Sequence, residues 1–408
     1  MSKRLLLVAE AVTLAHLARP LVFAEAAAAK GWSVTLACDP RFSRFFAGFQ
    51  GTVRSISSIE PSQFLRALRR GSPLYSAATL ETYVRDDLAL IERELPDLIV
   101  GDFRLSLSVS ARVAQIPYAT IANAYWSPDY QPPSWPVPQL PFTMFLPISL
   151  AQTVFGMARP LAFRQHTRPL NAVRRRFGLE SLGTDLRRVY TDADVVLYAD
   201  LPELFPISAP TRPSRFLGPV LWEPSVSLPG WWDSGFMSEP VIYVTLGSSG
   251  DASLLPTVVQ AVSNLGKSVL IATAGAQLTS PLPPNVHVAE YLPGLQTARR
   301  ASVVICNGGS LTSYQALAAG TPVVGIASNL DQFLNMQAIE RAGAGRGVRA
   351  DRLQPLRLQE TVAAVLDSTD LREAASRTAR FCQAHSFAEG CEGFLDSIAR
   401  SSGSGTTS

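Results

Sequence analysis

Two sets of residues along this chain have the types and spacing to do chemistry. The first is Asn307-Gly308-Gly309 followed by Ser310 and Thr312, inside the run SVVICNGGSLTSYQAL. Glycines let a backbone approach a phosphate closely, and the N–H groups that open a helix bind an anion with help from the helix dipole. The two hydroxyls add donors. An ordinary strand-to-helix turn uses the same glycines, so the run alone leaves both readings open. Further on, Asp331 and Gln332 in NLDQ follow the apolar run TPVVGIA, where a carboxylate beside an amide can grip sugar hydroxyls. Gly247 and Ser248 follow VIYVTL and can form a second phosphate-facing turn. Tyr291, in AEYLPG, offers a ring that stacks on a base or packs in a core. The second set is His16 with Asp102. A histidine just past the first apolar run can act as a general base near neutral pH, or can cap a helix or sit in a core. Asp102 closes the run LPDLIVGD, where a buried carboxylate holds an imidazole in one tautomer or caps the next helix.

Such residues work only if strands end beside one another. In the first half the short apolar runs are RLLLVAE, SVTLACD, LPDLIVGD, YATIAN and VVLYA, separated by helical stretches such as HLARPLVFAEAAAAKGW. Continuous rather than alternating apolar runs mark strands buried on both faces, the pattern of a parallel sheet covered by helices. The rhythm breaks in FLGPVLWEPSVSLPGWWDSG and restarts with PVIYVTLG, KSVLIAT, NVHVAEYL, SVVICNGG and TPVVGIA. The expectation is an α/β chain of two doubly wound parallel-sheet domains: 1–215, an ordered linker at 216–236, and 237–380. A terminal helix at 381–400 would pack on the second domain or cross back to the first, before a disordered Gly/Ser/Thr tail at 401–408. Two such sheets in tandem are expected to offer their strand-end loops to a shared crevice.

The order EYLPG, CNGGSLTSYQALAAGTPVVGIA, NLDQFLNMQ resembles the signature of UDP-sugar-dependent glycosyltransferases of the GT-B fold, which include plant natural-product and bacterial macrolide enzymes. The resemblance is specific over about 236–345 and looser elsewhere. It implies that Tyr291 stacks on uracil and that Asn307, Gly308, Gly309 and Thr312 hold the diphosphate. By the same resemblance Asp331 and Gln332 bind the donor sugar, Gln315 faces the ribose, and His16 with Asp102 forms the catalytic dyad. The family has His where Asn307 stands, Glu where Gln315 stands, and Gln where Gly294 stands. An amide at 307 still donates a hydrogen bond but carries no charge. The proline of the first helix, Pro20, stands one position late. The chemistry implied is removal of the acceptor hydroxyl's proton by His16, attack on the anomeric carbon with inversion, and departure of a nucleoside diphosphate met by the Gly-rich loop. The family needs no obligatory metal or other cofactor, and the nucleotide sugar is a co-substrate. UDP and dTDP are both compatible.

Composition narrows the field. The 408 residues are 47% hydrophobic and 17% charged, which excludes disorder for the bulk, and a net charge of +3 does not favour a nucleic-acid partner. Four scattered cysteines make neither a disulfide framework nor a zinc site and fit a reducing cytosol. The N-terminus reads as a first buried strand rather than a signal peptide, and no apolar run is long enough to span a membrane. The stretch 124–163 is dense in aromatics and proline, which marks an apolar loop. Tyr125, Trp126, Tyr130, Trp135, Phe142 and Phe145 are its candidate contacts for a hydrophobic acceptor, part of them expected simply to pack. The arginine-rich stretch 164–177 behind it can be a solvated face or meet anionic lipid headgroups. Natural-product, polyketide and lipid acceptors all fit. A sugar-nucleotide epimerase of the same architecture would need no acceptor pocket, and a non-catalytic nucleotide-sugar-binding partner would need no His16 and Asp102. The sequence does not settle the oligomeric state.

Overall fold

The computed structural model describes residues 2–233, 240–247, 250–278 and 281–403. The chain divides into two α/β units. The first takes in Met1–Pro132, Val154–Val220 and His385–Ser408, and the second Pro133–Thr153 and Leu221–Ala384.

The first unit is built on seven parallel strands: β1 (Arg4–Ala9), β2 (Ser33–Cys38), β3 (Thr52–Ser55), β4 (Leu98–Asp102), β5 (Tyr118–Ala122), β6 (Val195–Tyr198) and β7 (Ser214–Phe216). Their order is β3-β2-β1-β4-β5-β6-β7. Every residue of β4 and β5 is buried, as is β1 beyond Arg4, which is why these runs read as uninterrupted Leu, Ile, Val and Ala. The chain starts in the middle of the sheet, winds outward through β2 and β3, then returns to β4 on the other side of β1. The direction therefore reverses between β1 and β4, where loops diverge and open a crevice at the carboxyl ends. The terminal helix Phe387–Gly403 lies in this unit and packs on the helix Leu14–Ala29. Phe23 and Phe394 meet edge to face with ring centres 6.3 Å apart, and Lys30 Nζ lies 3.0 Å from Asp396. Gly390 is required there, because a β-carbon would fall 2.4 Å from the Leu217 carbonyl oxygen.

The second unit has six parallel strands: β8 (Val241–Thr245), β9 (Ser268–Ala272), β10 (Val286–Ala289), β11 (Val303–Cys306), β12 (Val323–Ala327) and β13 (Gly345–Arg349). Their order is β10-β9-β8-β11-β12-β13, with the reversal between β8 and β11. The four inner strands are buried at every position, and the edge strands β10 and β13 are not.

Two features depart from a first domain running unbroken over 1–215 with a linker behind it. The segment Pro133–Thr153 belongs to the second unit. Polar groups fix it there: Thr143 donates its hydroxyl to Asp351 (2.7 Å), Arg349 donates to the Val137 carbonyl (2.7 Å), and the Gln139 N–H reaches the Ser328 carbonyl (2.7 Å). The linker stretch from Leu221 onward also packs into the second unit. Glu223 accepts the Leu295 N–H at 2.8 Å and so caps the helix Gly294–Arg300, while buried Trp232 lies under the Arg300 guanidinium at 4.3 Å.

Candidate active site

The first unit's site forms at its switch point. β1 ends at Ala9, and the chain turns through Thr13 into the helix Leu14–Ala29, whose third residue is His16. β4 ends at Asp102, which is 1% exposed. His16 Nδ1 lies 2.6 Å from Asp102 Oδ1. A carboxylate oxygen so close requires a proton on Nδ1, which leaves Nε2 with its lone pair to accept one. The remaining carboxylate oxygen, Oδ2, lies 2.9 Å from Arg19 Nε, but that N–H is aimed at the Ala15 carbonyl, 3.3 Å away. The contact is thus an ion pair, and Oδ2 has no aligned hydrogen-bond donor among the described residues. Arg19 also places Nη2 3.0 Å from His16 Nδ1 and donates from Nη1 to Asn123 Oδ1 at 3.0 Å. Asn123 in turn donates to the buried Asp200, which also accepts the Ala124 N–H at 2.6 Å.

Phe103 covers the imidazole: the two rings stack 4.6 Å apart at 20°. A second buried cluster ties the same strand ends together. Arg104 Nη1 lies 2.8 Å from Glu10 and Nε 3.1 Å from Asp87, with the guanidinium 3.6 Å over the Tyr83 ring. Tyr75 and Tyr83 donate their hydroxyls to Glu10. Burial pushes the Glu10 and Asp87 carboxyls above the usual range, and Arg104 opposes that rise.

The six aromatic candidates separate. Tyr125 and Tyr130 are buried and pack on Phe205, with ring centres 5.2 and 5.5 Å away, so their packing role is the one realised. Trp126 is half-buried and stands edge-on to Tyr190 at 5.0 Å, and Tyr190 lies 5.5 Å from Phe103. Trp135, Phe142 and the exposed Phe145 belong to the second unit, because their segment is anchored on Arg349 and Asp351 rather than on the first sheet. Tyr75, Leu105, His166, Leu186 and Tyr190 line a small pocket of about 20 Å³, room for roughly one water. Sequence reading did not single these residues out, since isolated tyrosines and leucines give no local signal. Arg19 and Asn123 did leave one: Arg19 is three residues from His16 on the same helix face, and Asn123 follows the carboxyl end of β5 as Asp102 ends β4.

In the second unit Gly247 and the 307–312 loop lie at the switch point between β8 and β11, whereas Tyr291 follows the edge strand β10 and Asp331 follows β12. Asn307 follows β11, and the helix Ser310–Ala318 opens with Gly309 as its N-cap, without a side-chain cap. The N–H groups of its first turn are therefore available to an anion. Gly308 has φ 76°, and a β-carbon there would stand 2.8 Å from Met336 Cγ. Asn335 donates to the Gly308 carbonyl (2.8 Å), and Asn307 Oδ1 accepts the Gly309 N–H (3.0 Å), so the loop is pinned from both sides. Gly247 follows β8 at φ 62°, next to Asn307. Ser248 lies outside the described residues. Tyr291 is partly exposed just beyond β10, and Ser310, Thr312 and Asp331 are partly exposed at their helix starts.

Two amides are placed otherwise than expected. Gln315 is 6% exposed and donates to the Trp222 carbonyl at 2.7 Å, with its side chain filling the space a β-carbon on Gly294 would take. Gln332 is 2% exposed, and its Oε1 accepts from the Ser328 N–H and hydroxyl, closing a capping box with Asn329 on the helix Leu330–Arg341. The Gln315 amide N–H and the Gln332 carbonyl oxygen are thus taken up in shaping the loops.

Comparison with known proteins bears on the family and the fold. The family described as Erythromycin biosynthesis protein CIII-like, C-terminal domain, matches residues 256–387. A protein of Mycobacterium bovis named PGL/p-HBAD biosynthesis rhamnosyltransferase is 46% identical over 377 residues, 92% of this chain and 84% of its own. A shorter match, 44% identical over 64% of this chain and 71% of its own, is a Mycobacterium bovis protein named inactive PGL/p-HBAD biosynthesis glycosyltransferase. Among solved structures, a spinosyn rhamnosyltransferase in complex with thymidine diphosphate superposes with a TM-score of 0.67 at 21% identity, over 97% of this chain and all of its own. With two parallel-sheet units and relatives of this identity over nine-tenths of its length, the chain belongs to the GT-B glycosyltransferases, beside the macrolide and natural-product enzymes, and it is an enzyme of sugar transfer.

Proposed function

We propose that this glycosyltransferase moves a hexose from a nucleoside-diphosphate sugar to a hydroxyl of a hydrophobic, lipid-like acceptor, inverting the anomeric configuration. The observation that carries the reading is the 2.6 Å approach of His16 Nδ1 to Asp102 Oδ1, which leaves Nε2 as a base. Nε2 takes the acceptor proton as the acceptor oxygen bonds to the anomeric carbon, and the bond from that carbon to the diphosphate breaks. Asp102 supports the imidazolium as it forms. The leaving diphosphate is met by the N–H groups of Ser310 and Thr312 at the helix start and by the Asn307 amide. Asp331 contacts the sugar hydroxyls and Tyr291 stacks on the base. Because the Mycobacterium bovis relative is named a rhamnosyltransferase and the spinosyn rhamnosyltransferase is complexed with thymidine diphosphate, a dTDP-linked deoxyhexose is the first donor to test, with UDP-glucose beside it.

The acceptor class rests on the aromatic cluster of Phe103, Tyr190 and Trp126 beside His16 and on the relative's name, PGL/p-HBAD biosynthesis rhamnosyltransferase. Contact with a lipid surface fits the first unit's exposed Met157 and Leu161, which stand on one helix with exposed Arg164 and Arg168. Incubation of the enzyme with each donor and a panel of phenolic and aliphatic acceptors, with products read by mass spectrometry and anomers by NMR, tests the reading. Release of nucleoside diphosphate that does not depend on acceptor would contradict it. A second reading, a nucleotide-sugar-binding protein without turnover, is favoured by the uncharged Asn307, the inward Gln315 and the inactive relative. Tight nucleotide binding with no transfer to any acceptor would select it.

A further inference from the structure

Arg19 stands where a simple His–Asp dyad has no third member. It is 5% exposed and touches both partners, with Nε 2.9 Å from Asp102 Oδ2 and Nη2 3.0 Å from His16 Nδ1. One imidazole nitrogen thus faces a carboxylate and a guanidinium together. Only one of these contacts can be a hydrogen bond at a time: the carboxylate needs a proton on Nδ1, and the guanidinium needs a lone pair there. The shorter distance, 2.6 Å against 3.0 Å, assigns the proton to the Asp102 side.

The guanidinium is then left as a buried positive charge beside the ring. Phe103 stacks on the ring, and Asp102 and Arg19 are the charged groups in contact with it. Without that guanidinium the carboxylate of Asp102, whose Oδ2 lacks an aligned donor, would face the ring with its negative charge unopposed by the neighbouring cation. A protonated imidazole cannot serve as a base. Arg19 is itself held in place by Asn123, and Asn123 by Asp200, so its position does not depend on His16.

We propose that Arg19 is a positioning residue that offsets the charge of Asp102, keeping His16 unprotonated and fixed in the Nδ1–H tautomer while Asp102 still supports the transient imidazolium. This inference rests on the reading of His16 as the base. It does not concern the donor, so nucleotide affinity should not depend on Arg19.

The test is the pH profile of kcat/KM in wild type, Arg19→Gln and Arg19→Lys, with His16→Ala as reference. In Arg19→Gln the acid limb moves up by about one pH unit, so activity just below neutral falls about tenfold and recovers at higher pH. Arg19→Lys keeps the charge and holds its acid limb near that of wild type. Superimposable limbs in wild type and Arg19→Gln, with His16→Ala inactive, would overturn the role of Arg19 alone, whereas an active His16→Ala would remove the base assignment beneath it. Should Arg19→Gln not fold, nitrogen NMR of the imidazoles decides, since the chain has only four histidines to assign. Wild type and Arg19→Lys must then show the Nδ1–H tautomer at His16, and a predominant Nε2–H tautomer in wild type contradicts the proposal.

Discussion

Phe103 reaches its stacked position on His16 through a backbone φ of 59°, in the left-handed region that a bulky side chain rarely adopts. The strand β4 ends at Asp102, and the chain turns at the next residue so that one carboxylate faces the imidazole edge while the neighbouring ring covers its face. The strain is local, and it places two groups on one histidine.

Replacing Phe103 therefore separates stability from function. Phe103→Ala loses the stacking contact, about 1 kcal/mol, and keeps the strained backbone. Phe103→Gly loses the ring but relieves the strain. Thermal unfolding should find the glycine variant no less stable than the alanine one, while both transfer sugar several-fold more slowly than wild type. A glycine variant clearly less stable than the alanine variant would show that the backbone at 103 is not strained.

The Glu10–Arg104–Asp87 cluster is expected to punish removal of its cation. Arg104→Met leaves two buried carboxylates with only hydroxyl partners, and the loss in denaturant unfolding should be about 3–5 kcal/mol. Converting all three residues to neutral, similarly sized ones should cost less than the single change. A triple variant less stable than Arg104→Met would contradict the argument.

His166 governs a pH window. Burial against Leu74, Tyr75 and Leu170 lowers its proton affinity below the ordinary histidine value of 6.5, with the Gly71 carbonyl contact opposing. A base with a depressed folded value gives stability that is present above 6.5 and is lost as the pH falls through that value. The melting temperature of wild type should thus drop between about pH 7.5 and 5.5, and His166→Gln should flatten that drop. An equal drop in both proteins would rule His166 out as its source.

In the donor unit, Gly308→Ala meets two obstacles, a φ of 76° and a contact of 2.8 Å with Met336 Cγ. Nucleotide affinity measured by calorimetry should weaken at least about tenfold, in line with a backbone strain of 1–2 kcal/mol plus the clash. Adding Met336→Ala removes the clash but not the strain, so it should recover only part of the loss. Full recovery would mean that the left-handed conformation at 308 is not needed for the anion.

Much of the architecture was legible because buried parallel strands leave uninterrupted apolar runs. RLLLVAE, LPDLIVGD, SVVICNGG and TPVVGIA all proved to be inner strands, and the residues just beyond them, His16, Asp102 and Asn307, fall at the two reversals of strand order. What stayed hidden depends on contacts distant in sequence. Nothing local says that 133–153 is held by Arg349 and Asp351, nor that Tyr125 and Tyr130 face Phe205 rather than a pocket. Gln332 read from the sequence as a donor-sugar contact, and the capping box with Asn329 shows which local bonds its amide makes. Arg19 shares the helix face of His16, but its burial as a charge follows only once Asp102 and Asn123 are brought against it from β4 and β5.

The most direct test of the central claim pairs two measurements on His16→Ala: the rate of sugar transfer and the affinity for dTDP and UDP. The account predicts a rate lower by about three orders of magnitude, within the range of a lost general base, with nucleotide affinity within about twofold of wild type because the residues assigned to the donor lie in the other unit. A His16→Ala enzyme that transfers sugar at the wild-type rate would contradict it.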